Sequence, residues 1–264
     1  MRFSVGLYQH HPMDPAFADA DFIGAFARRA ETAGFDALYF TEHPIPGDDW
    51  LASGGHDALD PFVALSFAAA VTTRLHLLTN LTVLPYRNPF LLAKTVATLD
   101  RLSRGRVILG VGTGYLASEY AAIGVDFDER NDLFDESLEV CRLVWSGDSV
   151  TYEGRHFSAR ACTAAPTPVQ HPVPVWIGGN AKITLRRVAE RAQGWMPLYN
   201  PPAVAARRRS PQLESLDDLA RMLERIRELR AAAGRADESL DVQWVDPSPS
   251  LGSPGWDLGA YRAR

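Results

Sequence analysis

Seven short apolar runs along this chain alternate with segments of helical spacing, and that alternation restricts the fold more than any single motif. Parallel neighbours in a sheet require a crossover, so repeated strand–helix units select a parallel sheet covered by helices. The strands are read at Phe3–Tyr8, Phe35–Thr41, Leu75–Val83, Arg106–Gly110, Val175–Gly178, Gly194–Leu198 and Leu240–Trp244. Helix signals lie between them. Asp21–Ala33 carries Phe22, Ile23, Phe26 and Ala30 on one face, and Gly34 is placed to end it. Asp60–Pro61 and Asn88–Pro89 each join an N-cap to a proline suited to the first turn. Leu92, Val96, Leu99 and Leu102 mark the apolar face of the helix begun at Pro89, and another helix covers Arg130–Trp145 before Gly147. Asn180 reads as the cap of the helix after the fifth strand. Ser215 with Asp218 gives a capping-box start for Leu216–Ala233, whose apolar stripe is Leu219, Met222, Ile226 and Leu229.

Two architectures satisfy this order: an open doubly wound sheet and a (β/α)8 barrel. Polar or glycine residues stand at the C-terminal ends of the strands, at Gln9-His10, Glu42-His43, Thr79-Asn80, Gly112-Thr113 and Gly178-Gly179. In a TIM barrel those ends converge on one mouth, so the barrel is the expected fold. It spans residues 1–245, with an insertion at 146–174 that includes a hairpin turning at Glu153–Gly154. Beyond it, 246–264 is an irregular tail rich in Pro, Gly and Ser. The eighth strand has no apolar alternation to mark it. The barrel is therefore either incomplete at the C-terminus or closed by a segment without that signature.

Composition removes several functions. With 27 Lys and Arg against 32 Asp and Glu, the net charge of −5 offers no basic excess for nucleic acid. No apolar run is long enough for a membrane span, and the first residues lack an export leader, which points to the cytoplasm. Cys141 and Cys162 have no metal-ligand spacing, and Cys141 sits on a helix's apolar side as a buried thiol. Walker A, G-x-S-x-G and H-E-x-x-H sequences are absent.

Two glycine-bearing turns carry the remaining chemistry. Gly110–Tyr115 (GVGTGY) follows a strand and lets backbone amides approach an anion, although the spacing is not that of a dinucleotide fingerprint. A tight strand–helix turn explains it equally well. Val175–Ala181 (VWIGGNA) places Gly178, Gly179 and Asn180 before a helix N-terminus, where amides and the helix dipole favour a phosphate, with Thr184 in the first turn. Glycine turns opening on one mouth favour a phosphate-bearing ligand. His43 ends the second strand and is placed to donate to a cofactor ring or to handle a proton. Its neighbour Glu42 points the other way, toward a structural ion pair. A metal site is not expected, because adjacent His10 and His11 face opposite sides of a strand. His56, His76, His156 and His171 form no visible constellation. Tyr8, Trp50, Tyr86, Tyr115, Trp195 and Tyr199 fall near strand ends and suit a flat ring system or an apolar substrate.

The run from Leu59 to Gly124, with AETAGFDALYFTEH at 30–43, PVWIGGNA at 174–181 and GWMPL at 194–198, resembles the luciferase-like flavin or deazaflavin oxidoreductases. The resemblance covers about the first 200 residues and implies a TIM barrel, a reduced flavin-type cofactor at the strand C-termini, and a homodimer acting on a small molecule. Its nearest flavour is the branch that uses coenzyme F420. On that resemblance His43 lies beside the deazaflavin, and Thr79 and Asn80 form a strand bulge with a non-prolyl cis peptide at Asn80–Leu81. Gly112, Thr113, Gly114 and Tyr115, with Gly178, Gly179 and Asn180, hold the cofactor. The implied function is hydride transfer between F420 and an unidentified small organic substrate. An FMN-dependent monooxygenase is the alternative, and a non-catalytic flavin-binding protein with a shortened barrel is a third reading. Relatives that oxidise sugar phosphates carry Glu after GTG; Tyr115 stands there in this chain, so that activity is not implied.

Overall fold

The computed structural model describes residues 2–7, 9–202, 205 and 210–244, and of residue 9 the backbone alone. Tyr8 and the tail at 246–264 lie outside them. The chain divides into two compact units, one spanning Phe3–Val175 and the other carrying Trp176 onward with the first two residues.

The first unit contains β1 (Ser4–Gly6), β2 (Gln9–His10), α1 (Ala20–Thr32), β3 (Ala37–Phe40), α2 (Asp48–Ala52), β4 (His56–Asp57) and α3 (Pro61–Val71). It continues with β5 (His76–Thr79), β6 (Thr82–Val83), α4 (Pro89–Ser103), β7 (Val107–Gly112), α5 (Ala117–Ile123), α6 (Arg130–Trp145), β8 (Val150–Glu153) and β9 (Ser158–Cys162). β1, β3, β5 and β7 pair in parallel, in that order, with Ser4 opposite Ala37, Leu38 opposite Leu77, and Leu78 opposite Ile108. β7 is buried along its whole length, as a parallel strand covered on both faces must be.

The cap signals act as read. Asp60 accepts from the amides of Phe62 and Val63, and Asn88 from those of Phe90 and Leu91. Gly34, at φ +86°, follows α1. The core includes Ile23, Leu65, Leu92, Val96, Leu109, Phe134 and Leu138, each fully buried or nearly so. A fully buried Leu or Phe contributes roughly 1.5–3 kcal/mol. Cys141 is buried among them, and burial pushes its thiol up to about 12.

Three readings need correction. The single strand expected at Leu75–Val83 is two strands, β5 and β6, separated by the cis peptide Asn80–Leu81. Leu102 is 74% exposed instead of lying on the buried face of α4. The helix turns through about 100° per residue, so Leu99 and Ser103 occupy the inward positions beside it. The segment between GVGTGY and α6 also holds a seven-residue helix, α5, that the sequence reading passed over.

The second unit contains β10 (Val175–Gly178) from Trp176 onward, α7 (Lys182–Arg191), β11 (Gly194–Met196), α8 (Leu216–Ala232) and β12 (Asp241–Val242). Trp176 pairs with Gly194 and Trp195 with Val242, both in parallel register. The capping box of Ser215 and Asp218 is present, and Ile226 is the buried centre of the α8 stripe. Seven of the expected parallel barrel strands thus lie among the described residues, with β6 a short continuation after β5.

Candidate active site

β3 delivers two adjacent residues to opposite tasks. Glu42 turns into the protein and is buried. Its Oε2 accepts from the Val83 amide at 2.6 Å, and its Oε1 accepts from Arg87 Nε at 2.8 Å. Arg87 also donates to Asp60 at 2.6 Å and lies 5.0 Å from the Phe62 ring centroid. Burial raises the Glu42 pKa, and the Arg87 charge opposes that rise. The network ties the end of β3 to the start of α3 and to the chain after β6. This is the structural ion pair expected for Glu42.

His43 faces the other way into a set of polar and aromatic side chains. Its Nδ1 lies 3.3 Å from Glu119 Oε1 and 3.4 Å from Oε2. The Tyr86 hydroxyl donates to Glu119 Oε2 at 3.0 Å. The His43 side chain is 11% exposed and that of Glu119 is 1% exposed. An ionised carboxylate only accepts, so the hydroxyl and an Nδ1–H are its matching donors. Burial, followed by the Glu119 charge, pushes the Tyr86 phenol well above its ordinary range, so it remains a donor.

Three rings surround His43. Trp50 lies 4.5 Å away between centroids, His56 meets it edge-to-face at 4.8 Å, and Tyr115 does so at 6.3 Å. His56 Nε2 is 3.1 Å from Thr41 Oγ1. Burial, with repulsion from His43 second, lowers His56 to about 4, so it is neutral at ordinary pH. His56 therefore does belong to a constellation, contrary to its sequence reading. The pairing of β2 with β4, which sets His10 opposite His56, brings it there. α2 and this short ladder hold Trp50 and His56 beside His43.

Glu119 and Tyr86 are the partners that sequence reasoning did not assign to His43. Tyr86 was singled out only as an aromatic near a strand end. Glu119 had a usable signal: it is the one acid among apolar and small residues in ASEYAAI, beside the fully buried Tyr120.

The first glycine turn lies against the cis-peptide segment. Val83 pairs with Gly112, and a Cβ on Gly112 would stand 2.8 Å from Leu81 Cδ1. At Gly114, φ is +65° and a Cβ would stand 2.8 Å from Val83 Cγ1. Close backbone approach and a left-handed turn therefore require glycine at both positions. The Thr113 carbonyl accepts from the Tyr120 hydroxyl. Thr79 is fully buried and donates to the Gly110 carbonyl at 2.7 Å, which occupies its hydroxyl proton within the sheet. The Asn80 amide donates to Phe40 O at 2.8 Å. Among the described residues the Thr82 hydroxyl, just after the cis peptide, is buried without a hydrogen-bond partner.

The second turn differs from its reading. Asn180 does not cap α7; Ala181 occupies the N-cap, and no side chain caps the helix. Asn180 is 1% exposed, accepts from the Leu198 amide at 2.9 Å and donates to Leu198 O at 2.7 Å. A side chain committed to the chain after β11 cannot reach back to the first turn of α7. The Gly179 amide donates to Met196 O at 3.0 Å, and its carbonyl accepts from Trp195 Nε1 at 2.8 Å. The amides without an intrahelical acceptor are those of the first turn of α7, beginning at Lys182.

Residues 1–244 match the family model of luciferase-like monooxygenases. An uncharacterized protein of Mycobacterium tuberculosis is 33% identical over 224 residues, covering 80% of this chain and 74% of its own. The F420-dependent glucose-6-phosphate dehydrogenase of Kineococcus radiotolerans is 34% identical over 175 residues, 65% of this chain; the match spans 50% of that relative's length. A solved monooxygenase structure, RslO1 from Streptomyces bottropensis, matches with a TM-score of 0.73 at 25% identity, covering 92% of this chain and 70% of its own. The parallel strands and covering helices are those of a luciferase-like TIM barrel.

Proposed function

The chain belongs to the luciferase-like monooxygenase family, and from that premise we propose that it is an F420-dependent oxidoreductase acting on a small organic molecule. Members of the family are F420- or FMN-dependent oxidoreductases and monooxygenases. The observation that carries the reading is His43, held by buried Glu119 and edged by Tyr115 at the end of the GVGTG turn. When bound, coenzyme F420 supplies a two-electron hydride carrier at C5 of its deazaflavin.

The residues present fit such a group. Tyr115 is 44% exposed and presents an aromatic surface beside His43, while Gly112 and Gly114 leave bare backbone next to Asn80–Leu81. The unpartnered Thr82 hydroxyl adds a polar atom on the same short segment. We assign His43, Thr79, Asn80, Gly112, Thr113, Gly114 and Tyr115 to the ring and its near chain, with Thr79 acting through the sheet. The phosphate is assigned to the free amides at the start of α7, with Gly178, Gly179 and Asn180 shaping the turn that presents them. His43 holds or releases the proton that balances the hydride, and the surrounding rings keep water from it. On the same reading the enzyme works in the cytoplasm as a homodimer and binds no nucleic acid. Among the described residues, no helix is long and apolar enough to cross a membrane.

An FMN-dependent monooxygenase is the second reading, favoured by the description of the family and by the Streptomyces relative. Fluorescence titration of the purified protein with F420 and FMN, each oxidised and reduced, separates the two. Micromolar binding of F420 with much weaker FMN binding is expected. Tight FMN binding without F420 binding would reverse the assignment, and binding of neither would leave a non-catalytic scaffold.

A further inference from the structure

A histidine that moves a proton at one ring nitrogen works best when the other nitrogen has a fixed partner, because the partner selects the tautomer. In this chain the partner of His43 is itself partnered. Glu119 is buried to 1% exposure, on a seven-residue helix whose sequence otherwise offers little polar chemistry, and its carboxylate meets both His43 Nδ1 and the Tyr86 hydroxyl. Burying a carboxylate is costly unless donors satisfy it, and a position chosen for packing alone would be apolar. Tyr86 is also held from its other side, where its ring meets Tyr120 edge-to-face at 4.8 Å. Tyr120 is in turn fixed by its hydroxyl on the Thr113 carbonyl. The chain of contacts therefore runs from the glycine turn through Tyr120 and Tyr86 to Glu119 and His43.

We infer that Glu119 and Tyr86 are positioning residues that hold His43 as its Nδ1–H tautomer and leave Nε2 as the working nitrogen. This rests on the assignment of His43 in the proposed function and adds the groups that set its state. Tyr86 fills one lone pair of the carboxylate, so that Glu119 cannot rotate away from the imidazole. Glu119 accepts the Nδ1 proton, which fixes the orientation of the ring. His56 is set apart from His43 in this role: its Nε2 lies 3.1 Å from Thr41 Oγ1, and its ring stands edge-on to His43.

The test reads the tautomer directly. A histidine side chain free in water prefers the Nε2–H form, so a dominant Nδ1–H form points to an imposed partner. In 15N-histidine NMR spectra of the whole protein at alkaline pH, with the His43 signal assigned by its loss in His43→Gln, Nδ1 is expected at the protonated-nitrogen position and Nε2 at the bare one. Glu119→Met, which keeps the volume and removes the acceptor, is expected to return His43 to the Nε2–H form. Tyr86→Phe is expected to leave a mixture of the two. With F420 bound and turning over, Tyr86→Phe should lower kcat roughly threefold to tenfold with KM within about twofold, a fraction of the usual general acid–base contribution. An Nε2–H signal in the wild-type protein overturns the inference, as does an unchanged Nδ1–H signal in folded Glu119→Met. Should Glu119→Met fail to fold, the wild-type spectrum and Tyr86→Phe still decide. The spectra need no cofactor, so failure to bind F420 would remove the proposed function without touching this result.

Discussion

At Gly112–Tyr115 the backbone is bare because Leu81 and Val83 press against it, and the polar side chains gathered nearby include the largely buried His43. At Gly178–Asn180 the polar atoms are taken up by the turn itself. The Gly179 amide and carbonyl and the Asn180 side chain all bond to residues between Trp195 and Leu198. The two stretches read alike in sequence, as glycines after a strand. Only the first assembles side chains able to do chemistry; the second orders a helix start whose amides remain available.

That contrast can be broken by substitution. His43→Ala should lower turnover by about 10²- to 10⁴-fold, the ordinary worth of a positioned acid–base group. Steady-state kinetics on enzyme of matched folded fraction checks it; a loss under threefold would remove His43 from the chemistry. Asn180→Ala should act on stability first. It leaves the half-buried Leu198 amide and carbonyl without their partner, at a cost of roughly 1–3 kcal/mol, readable as a lower urea midpoint at unchanged slope. Gly114→Ala places a side chain at φ +65° against Val83, for a loss of about 1–3 kcal/mol in the same measurement.

A pH-dependent effect concerns His56. Its folded pKa of about 4 lies below the usual value of 6.5, so the unfolded chain binds the proton more readily. Stability linked to His56 is therefore complete above about pH 6.5 and is lost as pH falls toward 4. Unfolding midpoints measured across that window should decline, and His56→Gln should flatten part of the decline.

The alternation of elements was legible because caps and periodicity are local. Asp60–Pro61, Asn88–Pro89 and the Ser215–Asp218 box each mark a helix start without reference to the rest of the chain. The break in the third strand was legible only through resemblance, since nothing local in Thr79–Thr82 marks the cis peptide there. Glu119, Trp50 and His56 were not read as partners of His43, because 76, 7 and 13 positions in the chain separate them from it. Their meeting depends on α5 and on the β2–β4 ladder. Asn180 was misread for a related reason: an Asn before a helix has two ways to bond, and the residue it prefers lies 18 positions ahead.

Hydrogen exchange read by mass spectrometry, with and without saturating F420, tests the central claim most directly. Slower exchange on binding is expected in peptides covering 79–83, 110–116 and 178–184, with no comparable change over the hairpin at 150–162. Protection that omits 110–116, or that spares 178–184 while the cofactor is bound, would contradict it.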